Sequence, residues 1–424
     1  MGDKNLRISL LFAMFAVLCS CSLLFAGDVT RFRGENTQGK YNESELLDSW
    51  PEEGLKPKWL ISDLGEGYGS VIKVKDRLYL TCLDPDDSNK ESVVCLDLNG
   101  KKIWQQTVGN VWRDSFPIPR VTPTYVADEG AGDDKLLVLS GTGELFCLAA
   151  TKGDVLWSKD VAKTYETRYN GWGMTENVVA KDGKVFVTVG GNKALAVAYN
   201  IADGSVAWTT EPLDDGCAYV APIHYENKLI TVTSKYVAMI DTETGKLIWK
   251  DDFLKASGGE GSGIHCNAPI LKGNQFFVTQ GYGQGCAMYE ILSDGKGAKL
   301  LWGNNQKMDT HHQHVVEVDG RIYGSNHGGS WSCLDWKTGE AVYAGVNWNG
   351  RGKGVTITAD GKLFLYEERR GTLALAKPSD KFEIISSFPI DFGTAEHWSH
   401  PVISDGVLYV RHGNSLAAYD ITKK

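Results

Sequence analysis

Short apolar runs with a period of two recur along the chain and end at turns that contain glycine. In the clearest copies, residues 94–104 and 236–249, an apolar run leads to an Asp, then a Gly, then a second run carrying Trp. Side chains on a strand point alternately to two faces, so this period predicts half-buried β-strands. Glycine tolerates the positive φ of tight hairpin turns. The pattern therefore predicts antiparallel hairpins.

The hairpins repeat at the size of a propeller blade. The positions equivalent to Trp104 are spaced 41 to 53 residues apart and fall at residues 59, 104, 157, 208, 249, 302, 343 (Tyr) and about 385. Two hairpins per repeat supply the four strands of one blade. Each repeat consists of an apolar run that ends in Asp and a second run that carries Trp. Trp59 has no Asp-containing run before it, and residues 415–421 form an Asp-containing run without a following Trp. We predict an all-β, eight-bladed β-propeller over residues 27–424, closed by its N- and C-terminal strands.

Composition agrees with this architecture and excludes one class of partner. Of 424 residues, 48 are Gly and 13 are Trp, as expected for an all-β protein with many turns. The formal net charge is −9 and no basic stripe occurs, which argues against a nucleic-acid partner.

The first 26 residues have the pattern of an export signal. Lys4 and Arg7 precede an apolar run over 8–26, and polar sequence follows. We therefore expect a periplasmic or secreted protein. Lipid anchoring at Cys21 is the alternative. No later stretch reaches the ~20 apolar residues of a membrane span.

The cysteines do not form a recognisable framework. Seven lie outside the signal, which is an odd number, and no zinc-type spacing occurs. Cys82 and Cys95 lie on neighbouring predicted strands, where a disulfide could join them. For the other five, the prediction is a small buried side chain.

The repeated Ala-x-Asp-x-x-Thr-Gly-x-x-x-Trp pattern resembles the tryptophan-docking motif of the pyrroloquinoline-quinone (PQQ) repeat propellers. That superfamily includes quinoprotein alcohol dehydrogenases and non-enzymatic lipoproteins that help to assemble outer-membrane proteins. The segments 31–34, 49–51, 171–173 and 396–401 resemble a less characterised subgroup, the PQQ-like proteins of Bacteroidetes- and Planctomycetes-type bacteria. The resemblance implies the fold and leaves two functions open.

The loops that lead into the predicted innermost strands are polar, and we expect them to converge on one mouth of the channel. If the chain resembles the dehydrogenases, Glu176 and Asn267 would bind Ca²⁺ and Asp309 would be the catalytic base. Arg120 or Arg351 would pair with quinone carboxylates, and Trp172 or Tyr219 would stack on the ring system. Against this, the chain lacks both the adjacent cysteine pair of many such enzymes and a haem-attachment motif.

Histidines in the same loops suggest a transition-metal site as another possibility. His311 and His397 are the candidate ligands, with four further histidines nearby in the sequence, at positions 265, 312, 314 and 400. The alternative is a channel lined by hydrogen-bonded histidines.

From the sequence we favour a monomeric, exported binding or scaffold protein. Its ligand at the channel mouth would be a protein partner or a glycan. The alternative is a PQQ- and calcium-dependent quinoprotein oxidoreductase that acts on an alcohol or sugar hydroxyl. Polar and aromatic side chains at a propeller mouth serve either function, and the fold does not decide between them.

Overall fold

The computed structural model describes residues 27–128, 130, 132–169, 171–217, 219–260, 263–304 and 308–424. Eight separate sheets form the blades of an eight-bladed β-propeller, which confirms the predicted fold. Each blade is a four-stranded antiparallel sheet in meander order, and blade 7 carries one additional parallel strand. The predicted export signal, residues 1–26, lies outside the described residues and stays a prediction.

The strands follow one another blade by blade. The first two are β1 (Lys40–Tyr41) and β2 (Trp59–Ile61), and a 3₁₀ turn (Glu35–Thr37) precedes them. Blade 1 contains β3 (Ile72–Val74), β4 (Arg77–Leu83), β5 (Lys90–Asp97) and β6 (Lys102–Asn110). Blade 2 contains β7 (Thr124–Val126), β8 (Lys135–Leu139), β9 (Glu144–Ala149) and β10 (Val155–Asp160), followed by α1 (Val161–Tyr165). Blade 3 contains β11 (Val179–Lys181), β12 (Lys184–Thr188), β13 (Ala196–Asn200) and β14 (Val206–Thr209). Blade 4 contains β15 (Ile223–Tyr225), β16 (Lys228–Val232), β17 (Tyr236–Asp241) and β18 (Leu247–Asp252), followed by α2 (Phe253–Ser257).

The second half of the ring repeats this arrangement. Blade 5 contains β19 (Ile270–Lys272), β20 (Gln275–Gln280), β21 (Gly285–Ile291) and β22 (Ala298–Asn304). Blade 6 contains β23 (Val316–Val318), β24 (Arg321–Ser325), β25 (Trp331–Asp335) and β26 (Ala341–Val346). Blade 7 contains β27 (Gly354–Ala359), β28 (Lys362–Glu367), β29 (Thr372–Lys377) and β30 (Glu383–Pro389). Blade 8 contains β31 (Val402–Ser404), β32 (Val407–His412) and β33 (Ser415–Asp420), and β2 is its outermost strand.

The two ends of the chain close the ring in blade 8, as the sequence predicts. β2 pairs antiparallel with β33, with Trp59 opposite Ala418 and Ile61 opposite Leu416. This pairing covers the edge that β33 would otherwise expose.

Tryptophans on the outermost strands contact the next blade. The indole Nε1 of Trp208 donates to the carbonyl oxygen of Thr242 at 2.9 Å, and its ring covers Gly245, where a Cβ would lie 2.6 Å from the ring. Gly245 has φ 73°, so the turn and the close contact both require glycine. Trp104 and Trp157 make the equivalent Nε1 bonds to Ala150 and Ile201. These contacts join neighbouring blades.

A segment before the first blade fills the axial channel. We call residues 28–46 the channel plug. Val29 pairs with Lys73 of the innermost strand of blade 1, and β1 runs parallel to the innermost strand of blade 7. Asn36 donates to the carbonyl of His224 in blade 4, and the Gln38 amide oxygen accepts from the backbone N–H of Leu271 in blade 5. The channel plug thus enters the channel, turns and returns.

Charged groups fix both arms of the channel plug. The ammonium group of Lys73, a residue that is only 4 % exposed, lies 3.4 Å from the carboxylate of Asp28 and 2.5 Å from that of Asp405. The Glu317 carboxylate pairs with both Lys40 and Lys272. Compensated charges of this kind are tolerated inside a protein because each cation has an anionic partner.

The structure corrects the proposed disulfide. Cys82 lies opposite Ser92, whereas Cys95 lies opposite Tyr79, so the two thiols are out of register and both are free. The seven cysteines outside the first 26 residues form no disulfide bond among themselves. Over the described part of the chain, no helix is long and apolar enough to cross a membrane.

Candidate functional site

A cavity of about 280 Å³ lies at one mouth of the channel. Its walls come mainly from the loops that lead into the innermost strands of blades 1–6 and 8, so the convergence expected from the sequence is present. Phe32 of the channel plug also lines the cavity. The cavity is therefore a cup with a closed floor rather than an open pore.

Aromatic rings form most of the cavity wall. Trp398 lies at the centre of one group, with ring centroids 4.8 Å from Tyr68, 5.0 Å from Phe116 and 4.8 Å from His312. On another side, Trp172 meets Tyr219 edge to face at 5.9 Å. Phe116 is 42 % exposed, so the group extends to the rim of the cavity. Such walls favour flat apolar groups.

Two buried histidines of the cavity have hydrogen bonds that define their tautomers. Nδ1 of His314 lies 3.0 Å from the carbonyl oxygen of His312, so Nδ1 carries the proton and Nε2 carries a lone pair. His400 donates from Nε2 to the same carbonyl at 3.2 Å, and its Nδ1 accepts from Arg33 at 3.1 Å. Burial and the Arg33 charge hold the pKa of His314 well below its usual value. Burial, together with the neighbouring His314 and Arg33, also holds the pKa of His400 well below its usual value. Both rings are neutral at physiological pH.

Two buried side-chain polar atoms of the lining residues have no hydrogen-bond partner among the described residues. They are Nε2 of His314 and the hydroxyl of Tyr219. The backbone of Trp172 lies near the Tyr219 phenol, but not in hydrogen-bonding geometry. Both residues are more than nine-tenths buried. Neither atom is exposed to solvent, so both are covered by protein atoms and are not open to a ligand in the cavity.

One guanidinium group lies behind the cavity surface and a second one lines it. Arg33 is fully buried and donates to the carbonyls of Val315 at 2.8 Å and Thr356 at 3.1 Å. Burial lowers its pKa to about 10, so it remains charged. Arg120 donates to the carbonyls of Trp172, Ser115 and Phe116. No described carboxylate forms an ion pair with either group, and no described Asp or Glu lines the cavity. Charged groups of both signs contact lining residues from behind: Glu396 accepts from the Tyr68 hydroxyl, Glu368 lies 3.7 Å from His312, and Lys353 donates to His311.

The predicted calcium and base residues do not line the cavity. Glu176 is 1 % exposed, and its carboxylate oxygens accept from the backbone N–H of Thr188 at 2.9 and 3.1 Å. Burial raises the pKa of Glu176 to about 8. Asn267 donates to the carbonyls of Thr310 and His311 and accepts from the N–H of His314, so its amide bridges neighbouring blades.

Asp309 is also bound to backbone groups. Its carboxylate accepts from the N–H groups of Gly283 and His327 at 3.2 and 3.4 Å. The structure therefore brings Glu176, Asn267 and Asp309 to three different local environments. The role assigned to this trio stays a prediction without support from the geometry.

The predicted quinone-binding residues are divided between two locations. Arg120 and Trp172 line the cavity, where they lie close enough for the Arg120 guanidinium to donate to the Trp172 carbonyl at 2.5 Å. Arg351 is exposed, has φ 69° and is not among the lining residues.

The two predicted metal-binding histidines are in separate environments. His311 lines the cavity, and its Nδ1 accepts from the Lys353 ammonium group at 2.8 Å. Burial, His312 and Lys353 lower the pKa of His311. His397 stacks on His412 with ring centroids 3.6 Å apart and accepts from the Tyr366 hydroxyl at 2.6 Å. Burial and His412 lower the pKa of His397 to about 4. No group of three His, Cys, Asp or Glu side chains among the described residues is placed to hold a metal ion.

Several lining residues were absent from the sequence-based candidates, among them Phe32, Tyr68, Phe116 and Tyr282. Tyr68 and Phe116 lie in Gly- and Pro-containing loops just before innermost strands, which is the signal that identifies the neighbouring candidates. Phe32 belongs to a segment that the blade repeat does not include. The only sequence signal for its place in the channel is that the eight blade repeats do not account for this segment.

A PQQ–calcium group does not fit the residues at this mouth. No carboxylate lines the cavity in the described chain, and the carboxyl group of Glu176 faces its own blade. Calcium requires several hard oxygen ligands, and the lining offers mainly rings and imidazoles. No catalytic step is therefore assigned through this group.

Similarity to solved structures supports the fold. The structure of BamB from Moraxella catarrhalis matches with a TM-score of 0.63 and 13% identity, covering 87% of this chain and 98% of that one. A europium-containing methanol dehydrogenase matches with a TM-score of 0.66 and 13% identity, covering 92% and 90%. The quinohemoprotein alcohol dehydrogenase from Comamonas testosteroni matches with a TM-score of 0.60 and 13% identity, covering 94% and 81%. No curated protein sequence matches the chain. At this identity the neighbours establish the fold and no activity.

Fold and repeat together define a PQQ-like β-propeller. The family model described as outer membrane protein assembly factor BamB matches residues 89–345. The chain belongs to that family.

Proposed function

We propose that the protein is an exported binding or scaffold protein that holds a partner protein at the cavity mouth. The observation that carries this proposal is the cavity itself. It is an aromatic cup closed below by the channel plug, and no carboxylate lines it in the described chain. An exposed aromatic rim around a desolvated pocket is the usual arrangement of an interaction hot spot. The family model that matches the chain is described as an outer membrane protein assembly factor, which supports a role in binding other proteins.

The proposal includes a location outside the cytoplasm, periplasmic or secreted, which rests on the pattern of residues 1–26. Lipid anchoring at Cys21 remains the alternative form of export. A glycan is the alternative ligand for the mouth.

Site-specific photo-crosslinking in cells that express the full chain tests the binding role. A photoreactive phenylalanine analogue replaces Phe116 at the rim, and the matched control replaces Val206, which is 52 % exposed on the outer strand of blade 3. We expect a discrete protein adduct from position 116 and none from position 206. Adduct formation should also decrease when Trp398→Ala is added. Equal crosslinking at both positions, or none at either, would contradict the proposal.

A further inference from the structure

Two exposed arginines on the face that carries the cavity have no polar partner. Arg351 lies in the loop that leads into β27, and Arg370 lies in the turn between β28 and β29, which is at the same end of blade 7. The other arginines of the described chain each donate a side-chain hydrogen bond or form an ion pair. Arg351 and Arg370 do neither with any described residue. Blade 7, whose loops do not line the cavity, therefore presents two free guanidinium groups on this face.

The fold holds these two groups close together, beside a third arginine. A Cβ on Gly350 would lie 3.5 Å from Nη2 of Arg370, and Gly350 directly precedes Arg351 in the chain. Arg369 donates from Nη1 to the Gly350 carbonyl at 2.6 Å. Arg351 has φ 69°, which is unfavourable for a bulky side chain and is common at binding sites. We call Arg351, Arg369 and Arg370 the arginine patch. Like charges this close repel one another, and a bound anion would relieve that repulsion.

The carboxyl groups of the same two segments are already engaged. Glu367 is buried and accepts from the backbone N–H groups of Arg369 and Arg370 at 2.6 and 3.0 Å. Burial raises the pKa of Glu367, and these hydrogen bonds and the two arginine charges only partly offset that effect. The Glu368 carboxylate lies 3.4 Å from the Lys353 ammonium group. Neither acid forms an ion pair with the arginine patch.

The adjoining loop of blade 8 contributes further acidic groups. The Ile390 N–H donates to the Gly371 carbonyl at 2.8 Å, so this loop packs directly on the turn that carries part of the arginine patch. Asp391 forms no ion pair with an arginine of the described chain. Glu396 accepts from the Tyr68 hydroxyl. The arginine patch is therefore a local excess of positive charge on a chain whose formal net charge is −9.

Lys353 connects the arginine patch to the cavity. Its ammonium group donates to Nδ1 of His311, a lining residue, at 2.8 Å. Its carbonyl oxygen accepts from the backbone N–H of Glu368 at 2.9 Å, one residue before Arg369. A partner that covers the cavity mouth on this side would therefore meet the arginine patch.

Guanidinium groups bind carboxylate and phosphate groups well, because their planar N–H donors match two oxygens at once. The net charge distinguishes an extended anionic ligand from a narrow one. An anionic membrane surface would face a large part of this acidic protein and be repelled by it. A peptide segment would contact only the arginine patch, and charges more than about 8–10 Å away are largely screened at physiological ionic strength. Acidic side chains of a peptide are thus the favoured ligand.

Resting on the proposed function, we propose that the arginine patch binds an acidic segment of the partner protein, rich in Asp and Glu. Carboxylates of that segment pair with the free guanidinium groups of Arg351 and Arg370. Arg369 holds the intervening turn in place through the Gly350 carbonyl. The rest of the partner lies over the cavity mouth.

Fluorescence anisotropy with the full chain tests this inference with two labelled peptides of equal length. The probes are hexaglutamate and hexaglutamine, whose side chains differ in charge and hardly in shape. An exposed ion pair is worth up to about fivefold in affinity. We expect hexaglutamate to bind at least about fivefold more tightly than hexaglutamine at low ionic strength, and its binding to weaken as salt is added.

Arg351→Gln combined with Arg370→Gln should reduce the affinity for hexaglutamate about fivefold or more. The matched control is Arg113→Gln, which removes the same charge from an exposed loop before blade 2 on the same face, and it should change the affinity less than about twofold. Both patch positions are exposed, so the double variant should keep the melting temperature of the parent. Should it unfold, Arg370→Gln alone provides the comparison. Equal binding of the two peptides, or equal binding of hexaglutamate by the variant and the parent, would overturn the inference.

Vesicles of phosphatidylglycerol and phosphatidylcholine in equal amounts test a membrane as the other anionic ligand. We expect the protein not to sediment with these vesicles. Sedimentation that the double variant abolishes would overturn the inference in favour of a lipid surface.

The crosslinking experiment separates the two proposals. An adduct at position 116 that is undiminished in the double variant would overturn the role of the arginine patch and leave the binding role intact. No adduct in the parent, together with hexaglutamate binding that the double variant loses, would overturn the proposed function and keep the preference of the arginine patch for acidic peptides.

Discussion

The buried carboxyl group of Glu176 should make stability fall with rising pH, and Glu176→Gln should remove that effect. The side chain is 1 % exposed, and burial raises its pKa from near 4.5 to about 8. Between these values the unfolded chain releases a proton that the folded chain keeps, so folding is progressively disfavoured as pH increases. The stability of the variant relative to the parent should therefore rise by roughly 1.4 kcal/mol per pH unit midway between the two pKa values, and by about 3.5 kcal/mol between pH 5 and pH 8.

Urea unfolding of both proteins at pH 5, 6, 7 and 8 measures this difference. Glu144→Gln is the matched control with the opposite environment. Burial alone would raise the pKa of Glu144, but hydrogen bonds from Ser140, Thr142 and Asn110 outweigh burial and lower it. Its stabilising contribution is present above the unfolded-state pKa and is lost only as pH falls through the lower folded-state pKa. The difference in the free energy of unfolding between Glu144→Gln and the parent should thus stay constant from pH 5 to pH 8. A flat profile for Glu176→Gln would refute the reasoning and would restore Glu176 as an ionised candidate ligand.

Three further outcomes follow from the structure. Trp208→Ala should lower the free energy of unfolding by about 3–5 kcal/mol, because Trp208 is buried between blades. Trp59→Ala should lower it by less, since the Trp59 indole donates to the Leu98 carbonyl at the exposed surface. The reverse order in urea unfolding would contradict the placement of Trp208 between blades. Arg33→Ala should lower the free energy of unfolding by about 3 kcal/mol or more, because it removes the hydrogen bonds to the carbonyls of Val315 and Thr356. Arg351→Ala, at an exposed position, should change the free energy of unfolding by no more than about 0.5 kcal/mol. Similar melting temperatures for both variants would argue against the buried role of Arg33. Calorimetric titration with PQQ, with and without Ca²⁺, should detect no binding, and calcium-dependent binding at micromolar concentration would revive the dehydrogenase alternative.

The blades were predictable because their signal is local and repeated. Turn glycines such as Gly245 and strand residues such as Trp208 are determined by neighbours within one or two hairpins, and eight copies reinforce the pattern. Closure was also predictable, since Trp59 and residues 415–421 are complementary halves of one blade.

The site was predictable only in part. Position in a loop before an innermost strand correctly placed Arg120, Trp172 and His311 at the cavity. That signal gives no side-chain direction, so it could not show that Glu176 turns toward Thr188 or that Asn267 bridges to Thr310. Phe32 could not be placed because its partners lie in blades that are distant in sequence.

The channel plug adds contacts of very long sequence separation to this repeat fold. In an open repeat array each unit interacts mainly with its neighbours, and folding can spread from one unit to the next. Here Arg33 bonds to Thr356 and His400, which are 323 and 367 residues away. Arg33 therefore reaches these contacts only after the last two blades are available. Loop closure over such distances slows folding, so the ring should form late and in a single cooperative step rather than blade by blade.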